Sequence, residues 1–338
     1  MKRKYWVLFA ALFAIFLLSA CGAKKPQDVA GKLNEKVEKM DGYKLNAKMT
    51  LETGNEPRTY NIEVWHNRPG YYRVNLKNAG EGQSQMILRN KEGVFVVTPA
   101  LNKSYKFQSD WPNNTSQAYL YESLVKDILK DKEAKMTVKK NRYVFETKTR
   151  YQNHKMLPYQ QITFDKRTLA PVSVKVMDTD RNTLVSVLFT KVDFNAKFDS
   201  NAFDTKKNMT GAKLEVPVDG KVGNKEFSVK YPTAKIGGTT LLDEQEVAVA
   251  NGKRVILTYT GDKTYTLIEE KAEVLPAAST EPIPANGEMA DLGFAFGIKT
   301  GDSLSWTVNG VEYTLASKSL SAAEMMEVAQ SVGGEPEK

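Results

Sequence analysis

The chain has 338 residues, 41% of them hydrophobic and 26% charged, with 48 basic against 40 acidic side chains and a net charge of +8. A chain of this length and ordinary apolar content has enough material for two cores, which excludes a disordered polymer and suits two domains. Its single cysteine excludes an intrachain disulfide and any cysteine-based metal site, and only two histidines, His66 and His154, are present.

The chain opens with Lys2, Arg3 and Lys4, then an apolar run from Tyr5 to Leu18 that ends in Leu18-Ser19-Ala20-Cys21. A positive start, a short apolar core and small residues before a cleavage point describe a signal peptide. The run falls short of the roughly 20 apolar residues that a membrane-spanning helix needs. Leu-Ser-Ala-Cys resembles the lipobox of bacterial lipoproteins. That resemblance implies cleavage before Cys21, a thioether-linked diacylglycerol on its sulfur and an acylated N-terminus (palmitate is the expected chain). The expected location is the extracytoplasmic face of the cell membrane, held there by lipid.

Gly22 to Pro26 reads as a tether. A helix is predicted from Gln27 to Met40, with Val29, Leu33, Val37 and Met40 along one stripe, stopped by Asp41-Gly42. The period then changes to two. Tyr43–Leu51, Tyr60–Val64, Tyr72–Leu76, Gln85–Arg89, Gly93–Thr98 and Ser104–Phe107 read as strands. A second helix is predicted around Leu120, Leu124, Val125 and Ile128, with Asn114, Thr115 or Ser116 as its cap. Strands resume at Tyr143–Thr147, Gln160–Phe164, Val172–Met177 and Leu184–Thr190. Such a series predicts a large antiparallel sheet, curved or nearly closed.

Residues 208–223 are short on pattern and read as a linker. Beyond them, strands are predicted at Glu226–Lys230, Glu246–Val249, Arg254–Tyr259, Tyr265–Glu269, Ser305–Val308 and Val311–Leu315, with a loop around Pro276, Pro282 and Pro284. Asn309-Gly310 is a strong hairpin signal. Ser321 and Glu324 form a capping box ahead of a closing helix with Met325, Val328, Ala329 and Val332 on its stripe. The expected division is residues 1–20 as signal peptide, 21–26 as lipidated tether, 27–207 as first domain, 208–223 as linker and 224–338 as a small C-terminal α+β domain. Charge follows this division. Residues 21–210 carry 33 basic against 21 acidic side chains, and residues 211–338 carry 12 against 19. A basic module near anionic lipid or wall polymer and an acidic one beyond it fit that asymmetry.

Catalytic signatures are sparse. Ser123-Leu124-Val125-Lys126 matches S-x-x-K and Lys299-Thr300-Gly301 matches K-T-G, yet Ser-Asp-Asn is missing and the two stretches fall in different domains. The histidines are not spaced as a metal pair, and neither phosphate-loop nor dinucleotide glycine motifs occur. The expectation is a protein that is not an enzyme, uses no cofactor or metal and binds no nucleic acid.

A curved sheet has a concave face. Its inward set is read as Leu45, Met49, Ile62, Val64, Tyr72, Val74, Met86, Leu88, Phe95, Phe145, Phe164, Val174 and Phe189. These side chains either line a cavity for an apolar ligand or fill a core, and periodicity does not distinguish the two. The order of elements resembles the outer-membrane lipoprotein carrier superfamily, the LolA/LolB-like proteins. The stretches that carry this are Gly42-Tyr43-Lys44-Leu45, Trp65 with Arg68-Pro69-Gly70-Tyr71-Tyr72-Arg73, and Val192-Asp193-Phe194-Asn195 with Phe203. The nearest resemblance is to lipid-anchored, sporulation-associated lipoproteins of spore-forming Gram-positive bacteria.

The resemblance implies a β-rich α+β fold, an incomplete β-barrel wrapped on helices, followed here by the small α+β domain. It also implies an acyl-chain or lipoprotein ligand. An anchor on Cys21 and a second domain depart from the soluble carriers. They favour sensing, or scaffolding an envelope protein partner such as a wall enzyme or an anti-sigma-type regulator, in sporulation or envelope assembly.

Overall fold

The structure is a computed structural model. It describes residues 25–52, 57–80, 84–151, 154–214, 227–276 and 281–334. The signal peptide and Cys21 lie outside the described residues.

Helix α1 (Pro26–Lys39) has Pro in its first turn and Lys36 and Lys39 in its last, as the helix dipole favours. It buries Val29, Ala30 and Leu33. Then come β1 (Gly42–Leu51), β2 (Arg58–Asn67), β3 (Tyr71–Asn78), β4 (Ser84–Asn90), β5 (Gly93–Thr98) and β6 (Lys103–Phe107). Helix α2 (Tyr121–Lys130) follows, then β7 (Lys135–Lys139), β8 (Arg142–Lys148), β9 (Tyr159–Asp165), β10 (Pro171–Met177), β11 (Thr183–Asp193) and α3 (Thr205–Leu214).

The second half holds β12 (Tyr231–Pro232), β13 (Thr240–Val249), β14 (Gly252–Thr260), β15 (Tyr265–Lys271) and β16 (Ile283–Pro284). It continues with β17 (Glu288–Asp291), β18 (Phe296–Lys299), β19 (Ser303–Val308), β20 (Val311–Ala316), α4 (Ala322–Ser331) and β21 (Val332–Gly334).

Two antiparallel meanders, β1 to β6 and β7 to β11, are joined where β1 pairs with β11, giving the order β6-β5-β4-β3-β2-β1-β11-β10-β9-β8-β7. The sheet curves without closing, and α1 and α2 pack against each other on its concave side. The fold is the expected β-rich α+β class with an incomplete barrel on helices. The second sheet has the order β13-β14-β15-β20-β19-β18-β17, and β12 and β21 form a separate pair.

The two sheets are joined by backbone as well as side chains. Strand β16 adds to β6 in parallel, and the guanidinium of Arg58 donates to the Gln330 carbonyl at 2.7 Å. Gln85 accepts from the Phe296 amide at 2.6 Å, and Asn102 donates to the Leu275 carbonyl at 3.2 Å. One apolar cluster runs from Val29 and Leu45 through to Leu315 and Val328.

Several expectations need correcting. Met86, Leu88 and Phe95 do not face the concave side. With Val97 they form a separate cluster on the convex face, where Met209 of α3 packs on them. The inward residues of β4 and β5 are Ile87, Val94 and Val96. Both faces of these strands are covered, so Val94-Phe95-Val96-Val97 shows no alternation from which a face could be read. The strand expected at Glu226–Lys230 is irregular over residues 227–230. Of the expected linker, residues 208–214 belong to α3 and 215–223 lie outside the described residues.

Candidate functional site

Of the thirteen cavity candidates, Leu45, Met49, Ile62, Val64, Tyr72, Val74, Phe145, Phe164, Val174 and Phe189 lie buried in the main core, and Met86, Leu88 and Phe95 in the convex cluster. Phe164 meets Phe145 and Tyr121 edge-on, both at 6.2 Å between centroids. Phe194, from the carrier-like ending, meets Tyr121 edge-on at 5.1 Å. Such pairs fill space at van der Waals contact. Arg73, from the Arg-Pro-Gly stretch, lies over the Trp65 ring at 4.3 Å and reaches Glu63 at 2.6 Å and Asn208 at 2.7 Å, so it pins α3 to the convex face.

Two polar clusters fix α2 inside the half-barrel. Asp127, 1% exposed, accepts from Arg150 Nε at 2.5 Å, Gln160 Nε2 at 2.6 Å and Ser116 Oγ at 2.7 Å. Burial still holds its carboxyl above the usual aspartate range, against the pull of Arg150. Glu122 accepts from the Tyr43 hydroxyl at 2.8 Å and faces His66 Nε2 at 3.0 Å. Burial pushes His66 down, so its ring carries little charge near neutrality.

The two motif matches have structural partners. Ser123 Oγ accepts from the Gln117 amide at 2.8 Å, Lys126 donates to the Asn113 carbonyl at 3.0 Å, and Thr300 closes the β18–β19 turn against Ser303. Among the described residues no group of three metal-ligating side chains occurs.

The site that could take a ligand is a cleft of about 300 Å³ where the half-barrel meets the second sheet. Its apolar walls are Met49 and Leu51 from β1, Leu184 and Val185 from β11, Met156 and Leu157 from the segment before β9, and Leu292 after β17. Of the cavity candidates, Met49 is the one that lines it. Its polar side is Glu52, Gln117, Tyr119, Asp291 and Glu327, with Tyr151, Thr233, Gln330 and Ser331 completing the lining.

Asp291 ends β17 and accepts from the Gly293 amide at 2.8 Å; Gly293 adopts a φ of 81° that suits glycine. Burial pushes the Asp291 carboxyl up to about 6, against the backbone bond and the Gln117 amide that faces it. Burial and Glu324 likewise push Glu327 up. Tyr119 is 3% exposed and Gln117 1%, yet the Tyr119 hydroxyl and the Gln117 side-chain oxygen and nitrogen have no hydrogen-bond partner within bonding distance among the described residues. Sequence reading missed these groups, because Gln117, Asp291 and Glu327 are far apart in the chain and belong to no motif. A shallower groove of about 460 Å³, lined by Leu242, Thr258, Thr264 and Thr266 among others, lies along the second sheet.

A curved, open sheet on two helices, joined to a second sheet with a cleft at the seam, is a fold of the carrier-like type. The chain belongs to the sporulation protein YdcC-like family, whose match runs over residues 2–203. This is the sporulation-associated group that its sequence resembles. It is 50% identical over 337 residues to sporulation protein YdcC of Bacillus subtilis (strain 168), covering 100% of this chain and 99% of that protein.

Among solved structures it is similar to the Pseudomonas aeruginosa MucA/MucB complex, with 13% identity, 91% of this chain and 99% of that one covered, and a TM-score of 0.33. It is also similar to the complex of the CwlD amidase from Clostridioides difficile with the GerS lipoprotein, with 14% identity, coverage of 52% and 98%, and a TM-score of 0.30. No helix among the described residues is long and apolar enough to cross a membrane.

Proposed function

We propose that this protein is a lipid-anchored, extracytoplasmic sporulation factor that holds a partner protein in the cleft between its two sheets. The observation that carries this reading is the cleft itself, apolar on one side and polar on the other, in a seam held by backbone pairing and a shared core. The half-barrel interior supports scaffolding over lipid carriage. Its inward side chains, Val64, Val74, Phe145 and Phe164 among them, are 0% exposed and pack on one another and on the helices. The Leu18-Ser19-Ala20-Cys21 stretch supports the anchor.

A photo-crosslinking residue in place of Leu184, which lines the cleft, is expected to capture one protein in sporulating cells. The same residue in place of Leu188, 54% exposed on β11 and outside the cleft, is expected to capture none. Equal capture from both positions, or lipid rather than protein bound to the purified chain by mass spectrometry, would overturn the scaffold. For the anchor, Cys21→Ser is expected to abolish labelling by a fatty acid, and persistent labelling would refute it.

A further inference from the structure

The cleft is one-sided in charge. Glu52, Asp291 and Glu327 all line it, and none of its lining residues is Lys, Arg or His, although residues 21–210 carry a surplus of basic side chains. Beside these carboxylates lie the Gln117 side-chain amide, whose oxygen and nitrogen both lack a hydrogen-bond partner among the described residues, and the Tyr119 hydroxyl, which lacks one too. A buried acceptor without a donor costs stability unless something outside the chain supplies one. The three carboxylates set the sign: a positive group with several donors, as an ammonium has, meets opposite charge there and finds further acceptors in the Gln117 oxygen and the Tyr119 hydroxyl. A carboxylate head would face like charge.

The lining narrows the source of that ammonium. A lysine with an apolar neighbour against Met49, Leu184 and Leu292 matches a cleft that is acidic on one side and apolar on the other, whereas a phospholipid would bring its phosphate against the same carboxylates.

Resting on the scaffold reading above, we infer that the cleft recognises a lysine flanked by apolar residues in an extended segment of a partner protein. Its ammonium sits among Asp291, Gln117 and Tyr119, and the flanking side chain lies on the apolar wall.

The test is calorimetric titration of the full-length protein with N-acetyl-leucyl-lysyl-leucinamide and with the same peptide carrying glutamate for lysine. The lysine peptide is expected to bind at least about tenfold more tightly, a difference of ~1.4 kcal/mol. Asp291→Asn keeps an oxygen for the Gly293 amide and is expected to erase most of that preference. If this variant also lowers the melting midpoint, Tyr119→Phe serves instead, since it deletes a hydroxyl that no group among the described residues uses; it is expected to weaken the lysine peptide several-fold.

Equal binding of the two peptides overturns the ammonium reading. So does binding of neither peptide while the Leu184 adduct still forms, and in both cases the scaffold stands. Loss of the adduct as well overturns both readings. Tighter binding of dioctanoyl phosphatidylethanolamine than of the lysine peptide overturns the assignment to a protein segment.

Discussion

Buried carboxylates inside the half-barrel and those of the second sheet are treated differently. Asp127 has Arg150, Gln160 and Ser116 around it, and Glu122 accepts from the Tyr43 hydroxyl, so each meets side-chain donors from elements it helps to join. Glu269, 0% exposed on β15, accepts from the Lys230 backbone amide alone, and burial pushes its carboxyl up to about 8. Asp291 likewise has a backbone amide and a facing amide side chain, with its carboxyl at about 6. A group left short of partners where it meets no opening is a cost to the fold. One left short beside a cleft is a place for something external, and Asp291 and Glu269 are this pair of cases.

The largest effect expected from this contrast is at Arg150. Arg150→Met leaves Asp127 buried without its cation, and removing one partner of a buried pair costs about 3–5 kcal/mol. The sign with pH follows from Asp127, whose folded value already lies above its unfolded one. Losing Arg150 raises it further, so the deficit should be larger at pH 7.5 than at pH 5, where the carboxyl can take a proton. Urea midpoints at the two pH values measure this. A deficit under ~1 kcal/mol, or one that shrinks as pH rises, would show that the network does not anchor α2.

Next is the packing of the half-barrel. Val74 is 0% exposed on β3, and Val74→Phe should cost about 1–3 kcal/mol if the space around it is filled. An unchanged melting midpoint would mean room inside the sheet, and an acyl-chain ligand would again be the better reading.

How far the sequence made this molecule legible depends on whether one face of an element sees water. In β1, β2 and β9, buried residues alternate with more exposed ones, and period two places them correctly. The Asn309-Gly310 turn adopts φ values of 54° and 75°, and Ser321 and Glu324 form the expected capping box. Strand β7 is exposed along nearly its whole length, and β13 is exposed over nine of its ten residues, extending well beyond the expected Glu246–Val249. Pairing with β8 and β14 specifies them, and hydrophobic pattern carries no trace of that. The cleft was illegible for a related reason. Met49, Gln117, Asp291 and Glu327 come together through the seam between the sheets, and no local spacing encodes them.

An effect opposite in sign is expected at Glu269. Its folded pKa of about 8 lies above the unfolded value of 4.5, so the folded state holds the proton more tightly and stability falls as pH rises from 4.5 to 8. Glu269→Gln keeps an acceptor for the Lys230 amide and removes the charge. It should gain stability at pH 8.5 and nothing at pH 4, read as a higher melting midpoint at the higher pH only. No gain at pH 8.5 would mean that solvent or a cation reaches this carboxylate.

The finest test makes one chemical change in both regions. Tyr43→Phe removes the hydroxyl that donates to Glu122 at 2.8 Å, in a side chain that is 0% exposed. A hydrogen bond to a carboxylate is worth about 1.5–3 kcal/mol. Tyr119→Phe removes a hydroxyl that is also buried but donates to nothing among the described residues. Its loss should leave stability within ~0.5 kcal/mol, or raise it slightly, because an unsatisfied group disappears and the ring packing stays. Thermal melts of the two variants beside the parent compare them directly. If Tyr119→Phe costs as much as Tyr43→Phe, the Tyr119 hydroxyl has an internal partner, the cleft is no longer short of donors and acceptors, and its claim on an external ammonium fails. If the two differ as expected, Tyr119 contributes little to the fold, and its hydroxyl is free for whatever enters the cleft.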